Sequence, residues 1–236
     1  MFIRVFKHEP NLKAEIVDDF VAPVCFEDIK ILFEDEYLLA INKPSGLLSL
    51  SGKNPLNKDS VHYRLVQQYP DIRLTHRLDF GTSGIMLLAK NKVMNANLTK
   101  QFQARSVIKH YVCILAGELL KNEGLIDLPI AKDSLLFPRL KICHSKEGKS
   151  AQSHYKVIER LDEPARTRVS FTPLTGRTHQ LRVHSQAIGH PILGCDLYGT
   201  TATQEMAPRL LLHALDITFD HPQSQKRMLL KSPCPF

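Results

Sequence analysis

Residues 72–89 read IRLTHRLDFGTSGIMLLA. Apolar and polar positions alternate at first, with Ile72, Leu74, His76 and Leu78 on one side and Arg73, Thr75, Arg77 and Asp79 on the other. That period predicts a half-buried strand over 72–78. The unbroken apolar run 85–89 predicts a fully buried one. Between them a carboxylate ends the first strand, and Gly81 and Gly84 follow at +2 and +5. Small residues there let another backbone or a bulky ligand come close. On pattern alone, Arg77 and Asp79 fit a surface ion pair ahead of a loop as well as a functional site.

Upstream, apolar runs 29–33 and 37–41 are split by Glu34-Asp35-Glu36, which predicts a tight hairpin. Lys43-Pro44-Ser45-Gly46 then breaks the chain. Asp59 or Ser60 can cap a helix running through Tyr69, with Val61, Leu65 and Val66 inward. Downstream, Asn91 caps a helix over 92–105 whose Met94, Leu98 and Phe102 recur every four residues. Strands are predicted over 107–115, 166–171 and 210–219. A hairpin with its turn at Lys146-Glu147-Gly148-Lys149 should join 140–144 to 151–158. Residues 178–188 read as a helix closed by Gly189 and stopped by His190-Pro191. Many strands with a few helices indicate an α+β fold around a mixed, mostly antiparallel β-sheet with flanking helices and loops.

The chain has 236 residues, 43% hydrophobic and 23% charged. A chain of this size can bury about 70% of its unfolded surface without disulfides. Disordered, collagen-like and disulfide-scaffold classes are excluded. No apolar run approaches the roughly 20 residues of a membrane span, and residues 1–10 hold no signal-peptide core. Five cysteines, none in a CxxC pair, fit reduced thiols in the cytoplasm. The net charge is +7, with −2 over residues 1–30 and +9 over the rest. Such a basic body favours a nucleic-acid partner, although many soluble proteins are mildly basic. Residues 1–25 read as an acidic N-terminal extension of unknown role carrying a strand from Phe2 to Phe6; the body starts near Phe26.

Three stretches could carry chemistry. The first holds Asp79. The second, Thr175 through His184, is placed to open a helix, whose free N–H groups favour an anion. With Arg177 beside it and Arg182 one turn in, it reads as a phosphate or carboxylate site, or as a solvated basic face. The third is Lys109-His110-Tyr111, where Tyr111 could stack on a base or be half-buried core. No nucleotide-binding glycine motif and no GxSxG elbow is present. His179 and His184, five apart and about 140° round a helix, do not converge on a metal. No metal and no cofactor is indicated.

Three segments together resemble the RluA family of RNA pseudouridine synthases: His76-Arg77-Leu78-Asp79 with Thr82-Ser83-Gly84, Asn42 through Ser49, and Gly176 through His184. The match runs from about Phe26 onward. Within the family, residues 62–70, 143–159 and 206–214 are most similar to the RluA subgroup, which modifies a uridine in large-subunit rRNA and one in a tRNA anticodon stem-loop. The resemblance implies the pseudouridine synthase fold in one catalytic domain over 26–236, with no S4-type domain before it, and a monomer acting on RNA without a cofactor. It implies Asp79 as the catalytic carboxylate, Arg182 as its ion-pair partner in direct contact, and Tyr111 as the ring that stacks on the flipped uracil. Arg77 would insert where the base leaves or hold its backbone, and Leu181 would pack the pocket. His76, Thr82 and Arg177 belong to the same substrate-binding set. Two departures stand out. Residues 1–25 match nothing in the family, and Cys195 precedes Asp196 where the family often has Asp directly after Gly194; neither carries a role.

The chemistry fits a single carboxylate. Glycoside hydrolases usually use two, one to protonate the leaving group and one to attack or activate water. In uridine isomerisation uracil is both leaving group and returning nucleophile, so one Asp can serve as nucleophile or as base on the sugar. Two other readings compete. A non-catalytic RNA-binding or ribosome-assembly protein would not need a carboxylate in an anion's pocket. A nucleoside hydrolase would need a second one, for which only Asp196 and Asp216 offer themselves.

Overall fold

The computed structural model describes residues 20–236. The strand expected at Phe2–Phe6 lies outside them. In the first half, β1 (Lys30–Glu34), β2 (Leu38–Lys43), β3 (Arg73–Leu74) and β4 (Ser83–Ala89) are accompanied by α1 (Val61–Val66) and α2 (Lys92–Gln103). The second half holds β5 (Ile108–Ala116), β6 (Glu123–Asp127), β7 (Ile130–Lys132), β8 (Leu140–Ile142), β9 (Gln152–Leu161) and β10 (Arg166–Pro173). After these come α3 (Gln180–Ala187), α4 (Thr201–Glu205), β11 (Leu212–Asp220) and β12 (Arg227–Lys231).

One ten-stranded sheet runs β1-β2-β4-β11-β5-β10-β9-β6, with β12 beside β11 and β3 beside β4. Every pairing in it is antiparallel except β4 with β11, where His213 lies against Ser83 and Ala214 against Gly84. β7 and β8 form a separate hairpin. One apolar core lies under β2, β4, α1 and α2, and another under β5, β9, β10 and α3. Tyr111 packs against both.

The local logic is visible at the caps. Asn91 Oδ1 accepts the Met94 N–H, and Ser60 Oγ accepts the Tyr63 N–H. β4 is buried along its whole length, as an unbroken apolar run requires. Gly84 sits at φ +115°, and a Cβ there would lie 2.3 Å from the Ala214 carbonyl oxygen. The glycine thus admits a neighbouring backbone, not a ligand. Gly84→Ala should cost about 3 kcal/mol or more by combining a forbidden φ with a clash at the only parallel pairing of the sheet. Its melting temperature, followed by circular dichroism, should fall by roughly 10 °C.

Several expectations need correction. The strand predicted over 72–78 is only Arg73–Leu74. Beyond it, side chains replace the ladder: Thr75 Oγ1 donates to the Leu87 carbonyl, and the Leu87 N–H donates to His76 Nε2. α1 ends at Val66, short of Tyr69. The hairpin predicted across 146–149 does not form, because β8 pairs with β7 while β9 joins the main sheet. α3 begins at Gln180 rather than 178, since His179 adopts a left-handed conformation with φ 52°.

Candidate active site

Asp79 lies in the loop that leads into β4, and its backbone is stitched from the 43–49 segment on both sides. Ser49 Oγ accepts the Leu78 N–H and donates to the Leu78 carbonyl. The Gly46 N–H donates to the Phe80 carbonyl and Ser45 Oγ to that of Gly81. Lys43 has no exposed surface; its Nζ donates to the carbonyls of Pro44, Leu47 and Phe80. Burial pulls this ammonium down to about 7, with the Asp79 charge opposing. Residues 20–27 reach the same region: the Phe20 ring meets Phe80 edge-on at 5.5 Å, Asn57 exchanges bonds with the Ala22 N–H and the Phe20 carbonyl, and the Arg64 guanidinium donates to the carbonyls of Cys25 and Glu27.

The loop opens on a cleft of about 1050 Å³ between the two cores. Among the described residues Asp79 is the only acidic side chain lining it, against five Lys or Arg. All eight residues singled out from the sequence line this cleft. Their environments differ. Asp79 retains 25% side-chain exposure. Arg182 Nη1 stands 3.7 Å from Asp79 Oδ2, an ion pair longer than a hydrogen bond. The guanidinium's close hydrogen bond goes instead from Nη2 to Asp196 Oδ1, and its Nε donates to Cys195 Sγ at 3.4 Å. Burial would discharge Arg182, but Cys195, Asp79 and Asp196 together more than offset it. The Cys195-Asp196 pair, which the sequence left without a role, therefore anchors the arginine from behind.

Tyr111, reaching into the cleft from β5, has its phenol pushed up by burial and by the Asp79 charge. Leu181 is buried at the cleft wall. Arg77 and Arg105 line the rim, exposed and without an ion pair among the described residues. His76 is held by β4: Nε2 accepts from Leu87, and the ring packs on Phe102 at 4.7 Å. Burial, with Lys109 nearby, drops its pKa to about 3, so it is neutral. Thr82 is 2% exposed, and its N–H closes a turn onto the Asp79 carbonyl. Arg177 precedes α3; its Nε donates to the Ser150 carbonyl and its N–H to Gln180 Oε1. The Arg177 N–H is thus already used, as is that of Gln180, which donates to the Arg177 carbonyl.

Sequence reasoning passed over three side chains at the site. His179 Nε2 lies 4.0 Å from Asp79 Oδ1, and its Nδ1 is 2.8 Å from the Tyr198 hydroxyl. The Tyr198 ring lies under the Arg182 guanidinium at 5.2 Å. No local pattern marks Tyr198, because packing alone brings it there. Lys43 did carry a signal, a charge continuing the apolar run 37–41. Neither Asp196 nor Asp216 lines the cleft; Asp216 is bonded to His110 at 2.7 Å. The second carboxylate of a hydrolase is thus absent from the cleft wall among the described residues. No helix among them is long and apolar enough to cross a membrane.

Comparison with known proteins identifies the scaffold that carries this cleft. The RNA pseudouridylate synthase family profile matches residues 37–187. The dual-specificity RNA pseudouridine synthase RluA of Vibrio cholerae is 45% identical over 208 residues, 88% of this chain and 84% of that protein. The protein of the same name from Escherichia coli K12 is 43% identical, covering 87% and 93%. Human RNA pseudouridylate synthase domain containing 1 superposes with a TM-score of 0.76 at 28% identity, over 91% of this chain and 86% of that one. The solitary carboxylate facing an aromatic ring in a basic cleft thus sits on the scaffold of a known isomerase, and the chain belongs to the RluA family of RNA pseudouridine synthases.

Proposed function

We propose that this enzyme isomerises a uridine in large-subunit rRNA and a second one in a tRNA anticodon stem-loop, acting in the cytoplasm as a monomer whose catalytic domain spans 26–236. The observation that carries the chemical reading is the Asp79–Arg182 pair at 3.7 Å, Asp79 being the only carboxylate among the described residues on the wall of a cationic cleft. The dual specificity named in its relatives from Vibrio cholerae and Escherichia coli supports the pair of substrates.

A stacked uridine cannot reach Asp79, so it flips out, at a cost of a few kcal/mol. Arg77 takes the vacated place or grips the backbone. Tyr111 stacks on the extruded uracil, and Leu181 closes the apolar side. His76 and Thr82 support the substrate by fixing the loop that carries Arg77 and Asp79. Arg177 contributes charge at the far rim. Asp79 acts on the sugar as nucleophile or base with Arg182 as its counter-charge; the N-glycosidic bond breaks, the uracil turns and rebonds to the same sugar carbon through C5, the C5 hydrogen leaves as a proton and the ring nitrogen gains one.

Pseudouridine mapping of total RNA from cells with and without the protein tests this directly. One rRNA site and one anticodon-stem-loop site should disappear together from the deficient cells. Loss at only one RNA class would reduce the substrate range; loss at neither would remove the assignment. Purified enzyme should release tritium from [5-³H]uridine in both transcripts, with steep salt dependence because the cleft binds phosphates.

A further inference from the structure

We infer that His179 is a positioning residue for Asp79: a neutral imidazole whose Nε2–H is aimed at the carboxylate by a hydrogen bond from Tyr198. This rests on the reading of Asp79 as the reacting carboxylate.

The tautomer follows from counting partners. The Tyr198 hydroxyl is buried and already accepts the Leu140 N–H at 2.9 Å. Its own proton needs an acceptor, and His179 Nδ1 is the one within reach, at 2.8 Å. Burial pushes the phenol up to about 12, so it keeps that proton to donate. With Nδ1 accepting, the imidazole hydrogen resides on Nε2, the nitrogen 4.0 Å from Asp79 Oδ1. The opposite tautomer would leave the phenol proton unpaired and set a nitrogen lone pair against a carboxylate.

The charge state is consistent. Burial lowers the His179 pKa, with Asp79 and Asp196 opposing and Arg182 adding, so the ring is neutral at pH 7. Asp79 is then flanked by two different donors: Arg182 toward Oδ2, and the His179 dipole toward Oδ1. His179 sits just ahead of α3 with a left-handed backbone, and it lines the cleft. Tyr198 also accepts from the β7–β8 hairpin and lies against Arg139 at 5.6 Å, so the hairpin's seating reaches Asp79 through one phenol and one imidazole.

A donor that favours the carboxylate should depress the pH at which catalysis is gained. The groups facing Asp79 are Lys43 on β2, Tyr111 on β5, and Arg182, His179 and Tyr198 around α3, with Asp196 behind Arg182 and His179; the test changes only the imidazole and its phenol. His179→Asn retains a residue type that tolerates φ 52° but is too short to reach Asp79. His179→Gln restores an N–H near the Nε2 position. Single-turnover rates of the full chain on a stem-loop transcript would be measured from pH 3.5 to 8.5, a range that reaches the ordinary carboxylate value of about 4.

For His179→Asn the acid limb should move up by about one pH unit, giving a roughly tenfold loss at the acid end and little loss at pH 8. His179→Gln should restore the wild-type limb in part, and Tyr198→Phe should shift it the same way by less. A His179→Asn profile parallel to wild type, lowered uniformly or unchanged, overturns the inference. Asp79→Asn, assayed alongside, separates the premise: if it turns over normally the reading of Asp79 fails, whereas an inactive Asp79→Asn with an unshifted His179→Asn sinks the inference alone.

Discussion

Asp79→Asn is expected to abolish pseudouridine formation while leaving the fold and RNA binding intact. The amide is isosteric but neither attacks the sugar nor accepts its proton, so the rate should fall by at least about 10⁴-fold. The side chain is partly exposed and Arg182 keeps its bond to Asp196, so the melting temperature should stay within a few degrees of wild type. Removing the only acidic side chain among the described residues on the cleft wall should leave affinity for a polyanion unchanged or a few-fold tighter. Tritium release from [5-³H]uridine RNA and a filter-binding titration of the same transcript read the two arms. Turnover above about 1% of wild type would require another group on the cleft to do the chemistry.

The second large effect belongs to Arg182→Ala. This guanidinium ion-pairs with Asp79, bonds Asp196 and Cys195, and covers Tyr198. Its removal takes the counter-charge from a carboxylate that must be ionised to act, and opens a hole behind it. The catalytic rate should drop by about 10²–10⁴-fold, with the acid limb of any residual activity moved to higher pH. Breaking a fully buried pair costs about 3–5 kcal/mol. Here both carboxylates keep some water, Asp196 being 60% exposed at its side chain, so about 2 kcal/mol is expected. Only 4% exposed, Arg182 has no reach to phosphates, and RNA affinity should change by less than about threefold. Wild-type turnover by this variant would deny the guanidinium its role.

How much of this was legible depends on whether a feature is local. β4 and α2 could be read because an unbroken apolar run and an Asn-capped four-residue period are properties of consecutive residues. The three motifs bearing Asp79, Arg182 and Lys43 were legible for the same reason. The segment 72–78 misled because its alternation is real while the backbone partners are not: Thr75 and His76 side chains fill the places of strand hydrogen bonds. The 140–158 hairpin misled because a good turn at 146–149 says nothing about which sheet each arm joins. His179 was quoted within a motif yet read as the body of a helix, whereas it sits just ahead of α3 with a left-handed backbone. Tyr198 and Asp196 reach the site only through tertiary packing.

The parallel contact of Gly84 with Ala214 bears on how the enzyme is made. Ser83 and His213 are 130 positions apart, and the hydrogen bond between them joins the strand behind Asp79 to one translated much later. A nascent chain leaving the ribosome can collapse β2, β4 and α2 early, yet it lacks Arg182, Tyr198 and the β11 backbone that complete the centre. That contact cannot form before both strands have been made, and closing a loop over such a span is slow. A growing polypeptide therefore holds Asp79 without Arg182 and Tyr198 until the second half of the chain has been made.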